Sequence, residues 1–80
     1  MYLKNKYISK RAVEYFNKGD FKSRLKEYNL AIKDYNKAIA IAPEFAEAYY
    51  RRGEAKSSMG NHTEAIKDYN IAIDIILNKY

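Results

Sequence analysis

Ala31-Ile32-Lys33-Asp34-Tyr35-Asn36-Lys37-Ala38-Ile39 returns further along the chain as Ala65-Ile66-Lys67-Asp68-Tyr69-Asn70-Ile71-Ala72-Ile73. The offset is thirty-four residues, and it also pairs Ala12 with Ala46, Tyr15 with Tyr49, Gly19 with Gly53, Lys22 with Lys56 and Ser23 with Ser57. Aligned at that offset, residues 12–45 and 46–79 agree at fourteen of thirty-four positions, so the chain reads as a duplicated unit. Any fold assigned to it must give the same local structure twice.

Within the quoted stretch, Ala31, Ile32, Tyr35, Ala38 and Ile39 fall on one face at helical period, and Ala65, Ile66, Tyr69, Ala72 and Ile73 repeat the stripe. Alanines on such a stripe let neighbouring helices approach, while tyrosines and isoleucines fill the gaps. In the first half of the second copy, Tyr49, Gly53 and Lys56 also follow helical spacing. A helical glycine costs about 1 kcal/mol relative to alanine. Its return at Gly19 and Gly53 predicts a close helix crossing that a side chain would block. Pro43 ends one helix and is suited to open the next, Gly60 acts as a stop, and Asn61 or Thr63 serves as the following cap. The spacing predicts helices near 8–25, 28–41, 44–59 and 62–78, two in each copy.

These residues resemble the tetratricopeptide repeat, a thirty-four-residue helix–turn–helix unit. The second copy carries the pattern in Ala46-Glu47-Ala48-Tyr49-Tyr50-Arg51-Arg52-Gly53, Met59-Gly60-Asn61, Ala65-Ile66, Tyr69 and Ala72-Ile73. The first carries it in Tyr15, Gly19, Ala31, Tyr35, Ala38 and Pro43, so the resemblance spans residues 12–79. It implies an all-α fold of two antiparallel helix–turn–helix repeats stacked in a right-handed superhelix. The organisation expected is a basic leader over 1–11 joining the first helix, repeat 1 over 12–45, and repeat 2 over 46–80 with an uncapped last helix.

Three departures from the family pattern bear on function. Lys26 stands where the family has a glycine between the helices of a repeat, which leaves open one continuous helix over 12–41 and exchange of helices between chains. Phe21 replaces a small residue. Leu77 stands where a closing proline is usual, and Ile71, Ile75, Ile76 and Leu77 are left without a following repeat to cover them. Stacked repeats bury their faces against neighbours, and each isoleucine left in water forgoes roughly 1.5–3 kcal/mol. Those four residues are therefore the expected self-association surface of a homodimer or higher homo-oligomer.

The resemblance also implies a concave groove lined by the first helix of each repeat, binding a peptide or a helix. Its residues here are Val13, Phe16, Asn17, Asp20, Ser23 and Arg24 in repeat 1, and Glu47, Tyr50, Arg51, Glu54, Ser57 and Ser58 in repeat 2. Some relatives clamp a terminal carboxylate with lysines, asparagines and an arginine. Asn17 and Arg51 match such sites, but Phe16 and Glu47 stand at the lysine positions and Asp20 replaces an asparagine, and two acids there repel a carboxylate. The leading function is a protein-interaction scaffold. The rival is a structural self-assembling unit, or an excised or designed repeat fragment, with no ligand of its own.

Little supports chemistry. The eighty residues hold no cysteine and one histidine, His62, which argues against a thiolate nucleophile, a catalytic triad with Ser57 or Ser58, and a histidine-ligated metal. His62 is expected to pack in its turn. Asp34 and Asp68, each beside a lysine, read as outward-facing surface charge. The three glycines are too far apart for a phosphate loop. No enzymatic activity and no cofactor are expected. The net charge of +5 comes largely from Lys4, Lys6, Lys10 and Arg11, but the repeats carry no basic stripe, so nucleic acid is a poor fit despite nine tyrosines. No apolar run is long enough to span a bilayer. A soluble cytoplasmic protein is the expectation, and a piece cut from a longer exported chain would read the same way.

Overall fold

A computed structural model describes residues 8–78. The chain forms α1 (Lys10–Arg24), α2 (Tyr28–Ile41), α3 (Ala46–Ser58) and α4 (His62–Asn78), with no strand among the described residues. The helices match the periodicity to within two residues at each end. The leader residues Lys4 and Lys6 lie outside the described residues. Ser9 starts α1, its hydroxyl accepting the Ala12 N–H at 3.1 Å.

The two intra-repeat turns are built alike although their residues differ. After α3, Gly60 adopts φ 89°, its N–H bonds the Ser57 carbonyl at 2.9 Å, and the Asn61 N–H bonds the Lys56 carbonyl at 2.9 Å. After α1, Lys26 adopts φ 62°, with Lys26 N–H on Ser23 and Glu27 N–H on Lys22, both at 2.9 Å. Both are the left-handed stop that satisfies the last helical carbonyls. No continuous helix runs over 12–41. The closing bonds and the packing of α2 back onto α1 outweigh the roughly 1–2 kcal/mol that a left-handed conformation costs a non-glycine residue. Pro43 does not open α3 as its position suggested. It sits in a turn closed by Phe45 N–H on the Ala42 carbonyl at 3.0 Å, and its own carbonyl accepts the Tyr49 hydroxyl at 2.9 Å. Asn61, rather than Thr63, immediately precedes α4.

α1 packs on α2, α3 on α4, and α2 on α3, while α1 barely meets α3. The core is mostly alanine: Ala12, Ala31, Ala38, Ala42, Ala48 and Ala55 are buried, with Phe16, Tyr35 and Phe45 as its large members. The Phe16 ring lies 4.9 Å from Phe45 and 5.8 Å from Tyr35, centroid to centroid, at tilted angles that suit aromatic pairs. The repeated glycines do mark the crossings. A Cβ built on Gly19 would stand 2.6 Å from the Tyr35 ring, and one on Gly53 would stand 2.7 Å from the Tyr69 ring. The α1–α2 and α3–α4 spacings are each set by a tyrosine face resting on glycine backbone.

Two substitutions test this account by urea unfolding. Lys26→Gly relieves the left-handed strain, adds nothing to the folded contacts, and is expected to raise stability by about 1 kcal/mol with an unchanged denaturant slope. Gly19→Ala should lower it by about 1–3 kcal/mol despite alanine's better helix propensity, because the buried Tyr35 ring has nowhere to move. A neutral or stabilising Gly19→Ala would show that the crossing distance is not set there.

Candidate interaction surface

The crossing that Gly19 permits brings the Tyr35 hydroxyl through to the other side of α1. It donates to Asp20 Oδ1 at 2.6 Å and lies 3.2 Å from Ser23 Oγ. Burial, reinforced by the bond to Asp20, pushes the Tyr35 hydroxyl well above the ordinary tyrosine range, so it remains a proton donor. This cluster forms one wall of an open cleft of about 340 Å³ between α1 and α3. Asp20, Ser23 and Arg24 come from α1, Tyr28 and Tyr35 from α2, and Arg51, Glu54, Ala55 and Ser58 from α3.

On the opposite wall Arg51 Nη1 donates to Glu54 Oε1 at 3.0 Å, one turn along α3. The Arg51 Nε–H is buried and has no partner. The guanidinium also lies 5.9 Å from the Tyr50 ring centroid, and Tyr50 leans on Tyr69 at 5.4 Å. Arg51 thus bridges a polar cleft and an exposed aromatic edge.

Of the groove residues named from the sequence, Asp20, Ser23, Arg24, Arg51, Glu54 and Ser58 line this cleft. Tyr50 and Val13 are exposed beside it, and Asn17 and Glu47 are exposed on α1 and α3. Phe16 is different: it is buried in the aromatic core against Tyr35 and Phe45 and has no free surface to offer. Ser57, near the end of α3, lies 3.2 Å from Nδ1 of His62, the first residue of α4. A serine–histidine pair therefore exists where the sequence offered none. His62 itself is exposed rather than packed, and the pair lies in the open with no acid bonded to the ring. Tyr28 and Tyr35 were missed because they belong to the second helix of repeat 1. The signal was present in Tyr35, since a core tyrosine needs a hydroxyl partner and Asp20 is the nearest unpaired acid on the facing helix.

The two aspartates expected as surface charge are not at the surface. Asp68 and Asp34 are both buried. Arg52 grips Asp68 with two bonds, Nη2 to Oδ1 at 2.6 Å and Nε to Oδ2 at 2.9 Å, while Lys56 Nζ stands 3.1 Å from Oδ2. The third arm of the same guanidinium donates to Asn36 Oδ1 at 2.8 Å, tying α3 and α4 to α2. The partners lie twelve and sixteen residues before Asp68, not beside it at Lys67, which instead reaches Glu64 at 3.3 Å. Asp34 has a single cation, Lys22, at 2.7 Å. The approach is too oblique for a hydrogen bond, so charge alone holds that oxygen. Lys18, where Arg52 stands in the other repeat, lies over the Tyr15 ring at 5.2 Å.

α4 exposes apolar side chains on two sides: Ile66, Ile73, Ile76 and Leu77 share one face, and Ile71 and Ile75 lie on the opposite one. Ile71, Ile76 and Leu77 are exposed and Ile75 is half-buried. Ile66 and Ile73, expected to fill gaps in the stripe, are exposed as well. No helix among the described residues is long and apolar enough to cross a membrane, and no group of three or more potential metal ligands occurs among them.

Thirty-four-residue helical hairpins with glycine–tyrosine crossings and a cleft between first helices define a helical-repeat class of protein. A family model described as TPR repeat matches residues 13–60, and one described as tetratricopeptide repeat matches residues 46–76. The chain belongs to the tetratricopeptide repeat family. Repeats of this family generally mediate protein–protein interaction and are typically non-enzymatic scaffolds. Comparison with curated proteins finds no match.

Burial raises the Asp68 pKa, but the bonds from Arg52 and Lys56 outweigh it and hold the carboxyl below the usual aspartate value. Its contribution to stability is therefore complete above the unfolded value near 4 and is lost as pH falls through the lower folded value. Asp68→Asn should cost about 3 kcal/mol at neutral pH, because it strands two largely buried cations. Asp34→Asn should cost less than half of that, since Lys22 is alone and reaches water. In a urea titration across pH, the gap between wild type and Asp68→Asn should close in acid below about pH 4. A gap that persists unchanged into acid would mean that the ion cluster is not its source.

Proposed function

We propose that the chain is an interaction scaffold that binds a peptide or helix along the α1–α3 cleft and associates with itself through the apolar side chains of α4. The observation carrying the first part is the open cleft between α1 and α3, lined by side chains of both charge signs, with Arg51 in its wall beside the exposed Tyr50 ring. The tyrosine supplies contact area at low entropic cost, and the Arg51 guanidinium beside it offers charged donors. Asp20 and Glu54 on facing walls disfavour an all-acidic ligand, and Arg24 and Arg51 disfavour an all-basic one, which points to a segment of mixed charge. The second part is supported by the isoleucines and leucine left in water on α4.

An immobilised array of mixed-charge peptides, probed with wild type and with Tyr50→Ala and Arg51→Ala, tests the cleft. Both positions are partly or fully exposed, so neither change should unfold the chain. Each is expected to weaken a specific peptide signal by about tenfold or more, equivalent to about 1.4 kcal/mol or more. A signal that survives both substitutions places the ligand elsewhere. Absence of any signal with wild type favours the self-assembling unit without a ligand of its own.

A further inference from the structure

The duplication allows one repeat to serve as the reference for the other. Residues thirty-four apart hold equivalent places, so a difference in their exposure reports what a neighbouring repeat covers. On the second helix, Ala42 is 5% exposed but Ile76 is 53% exposed. Ile32 and Ile39 pack against the core, yet their counterparts Ile66 and Ile73 are 56% and 50% exposed. On the first helix, Ala55 is 2% exposed but Phe21 is 58% exposed, and Ala48 is fully buried where Glu14 is exposed. The interface between α2 and α3 therefore occurs once inside the chain and a second time as two separated halves, one on α4 and the other on α1.

We propose that a second copy of this chain brings those halves together, with α1 of one molecule seated on α4 of the next, head to tail. This rests on the self-association reading above and adds its polarity and its missing face. Three observations favour this occupant. The α1 half is apolar at the matching place, where Phe21 stands for the buried Ala55, and Leu25, 55% exposed, lies one turn further on. The polar register is kept, with Lys18 in the place of Arg52 and Asn70 in the place of the Asn36 that accepts from it. The exposed charges are complementary: α1 exposes Lys10, Arg11, Lys18 and Arg24 against Glu14 alone, whereas α4 exposes Glu64 and Asp74 against Lys67. Glu14 and Phe21 replace two alanines, so the incoming helix sits farther out than α3 sits on α2, and the Phe21 ring spans the wider gap. A contact between unlike faces does not close on itself unless the rotation happens to form a ring. The expected product is a growing series, not a dimer that stops at two.

Sedimentation over a wide concentration range tests this with Phe21→Glu and Ile73→Glu. Both side chains are exposed, and retained far-UV helical signal checks folding. Should either variant lose that signal, Leu25→Glu and Ile76→Glu disable the same two faces. Wild type should grow past the dimer with concentration, and each variant alone should associate at least about tenfold more weakly. Mixed, the two variants should form a one-to-one heterodimer that grows no further, because one intact α1 meets one intact α4. If wild type associates but Phe21→Glu does so equally well, the α4 faces pair with one another, and if the mixture stays monomeric the intact α1 and α4 faces do not meet; either result makes the head-to-tail arrangement wrong. A wild type that remains monomeric throughout removes self-association altogether.

Discussion

A tyrosine ring laid flat on the backbone of a glycine sets the distance between the two helices of each repeat. Gly19 takes Tyr35 and Gly53 takes Tyr69, and in both cases there is no room for a β-carbon. Much else follows from that closeness. Helices held this near need alanine along their shared face, which is why the buried core is mostly alanine and holds only three large side chains. In the first repeat the same contact pushes the tyrosine hydroxyl through to Asp20 and Ser23, where it becomes the inner wall of the cleft. Fold and candidate site therefore share one residue, and neither can be altered at Tyr35 without the other.

Much of the architecture was legible because it depends on periodicity, and periodicity survives in a single sequence. Helix spans, the glycine crossings and the family all follow from the spacing of apolar and small residues. What remained hidden depends on distance in space. Asp68 sits next to Lys67 in the chain, and that adjacency suggested solvated charge, but residues one apart on a helix point about 100° away from each other. Its partners, Arg52 and Lys56, come from the facing helix. The cleft was half legible for the same reason. The α1 and α3 contributions follow the repeat rule, whereas Tyr28 and Tyr35 enter from α2 only because the helices cross where they do. Lys26 is a different kind of miss: its side chain says helix, and only the closing bonds of a turn and the packing of α2 override it.

The two repeats also differ in how they hold their buried acid, and the difference has a direction. Asp68 has two cations and a link through Arg52 to Asn36, and so couples both helices of repeat 2 to the second helix of repeat 1. Asp34 has Lys22 alone, and Lys18, the residue equivalent to Arg52, lies on Tyr15 instead. An arginine can grip a carboxylate with two arms and still hold out a third, which a lysine's single ammonium does not do in that planar geometry. The network is complete in repeat 2, which reaches back to repeat 1, and sparser in repeat 1.

That asymmetry is a property of any stack of like units. An interface joins two unlike faces, so a row of units always ends with one of each kind uncovered. The usual remedy is to make the end faces polar. The two faces that neither repeat of this chain covers are apolar instead: isoleucine stands at position 76 and phenylalanine at position 21, where the buried equivalents Ala42 and Ala55 are alanines. Alanine would have sufficed to keep these faces inert, and a larger apolar side chain in water contributes nothing to the folding of the chain that carries it. Its contribution begins when something covers it. The enlarged residues on these two faces are thus better understood through what they meet than through what they stabilise within the chain.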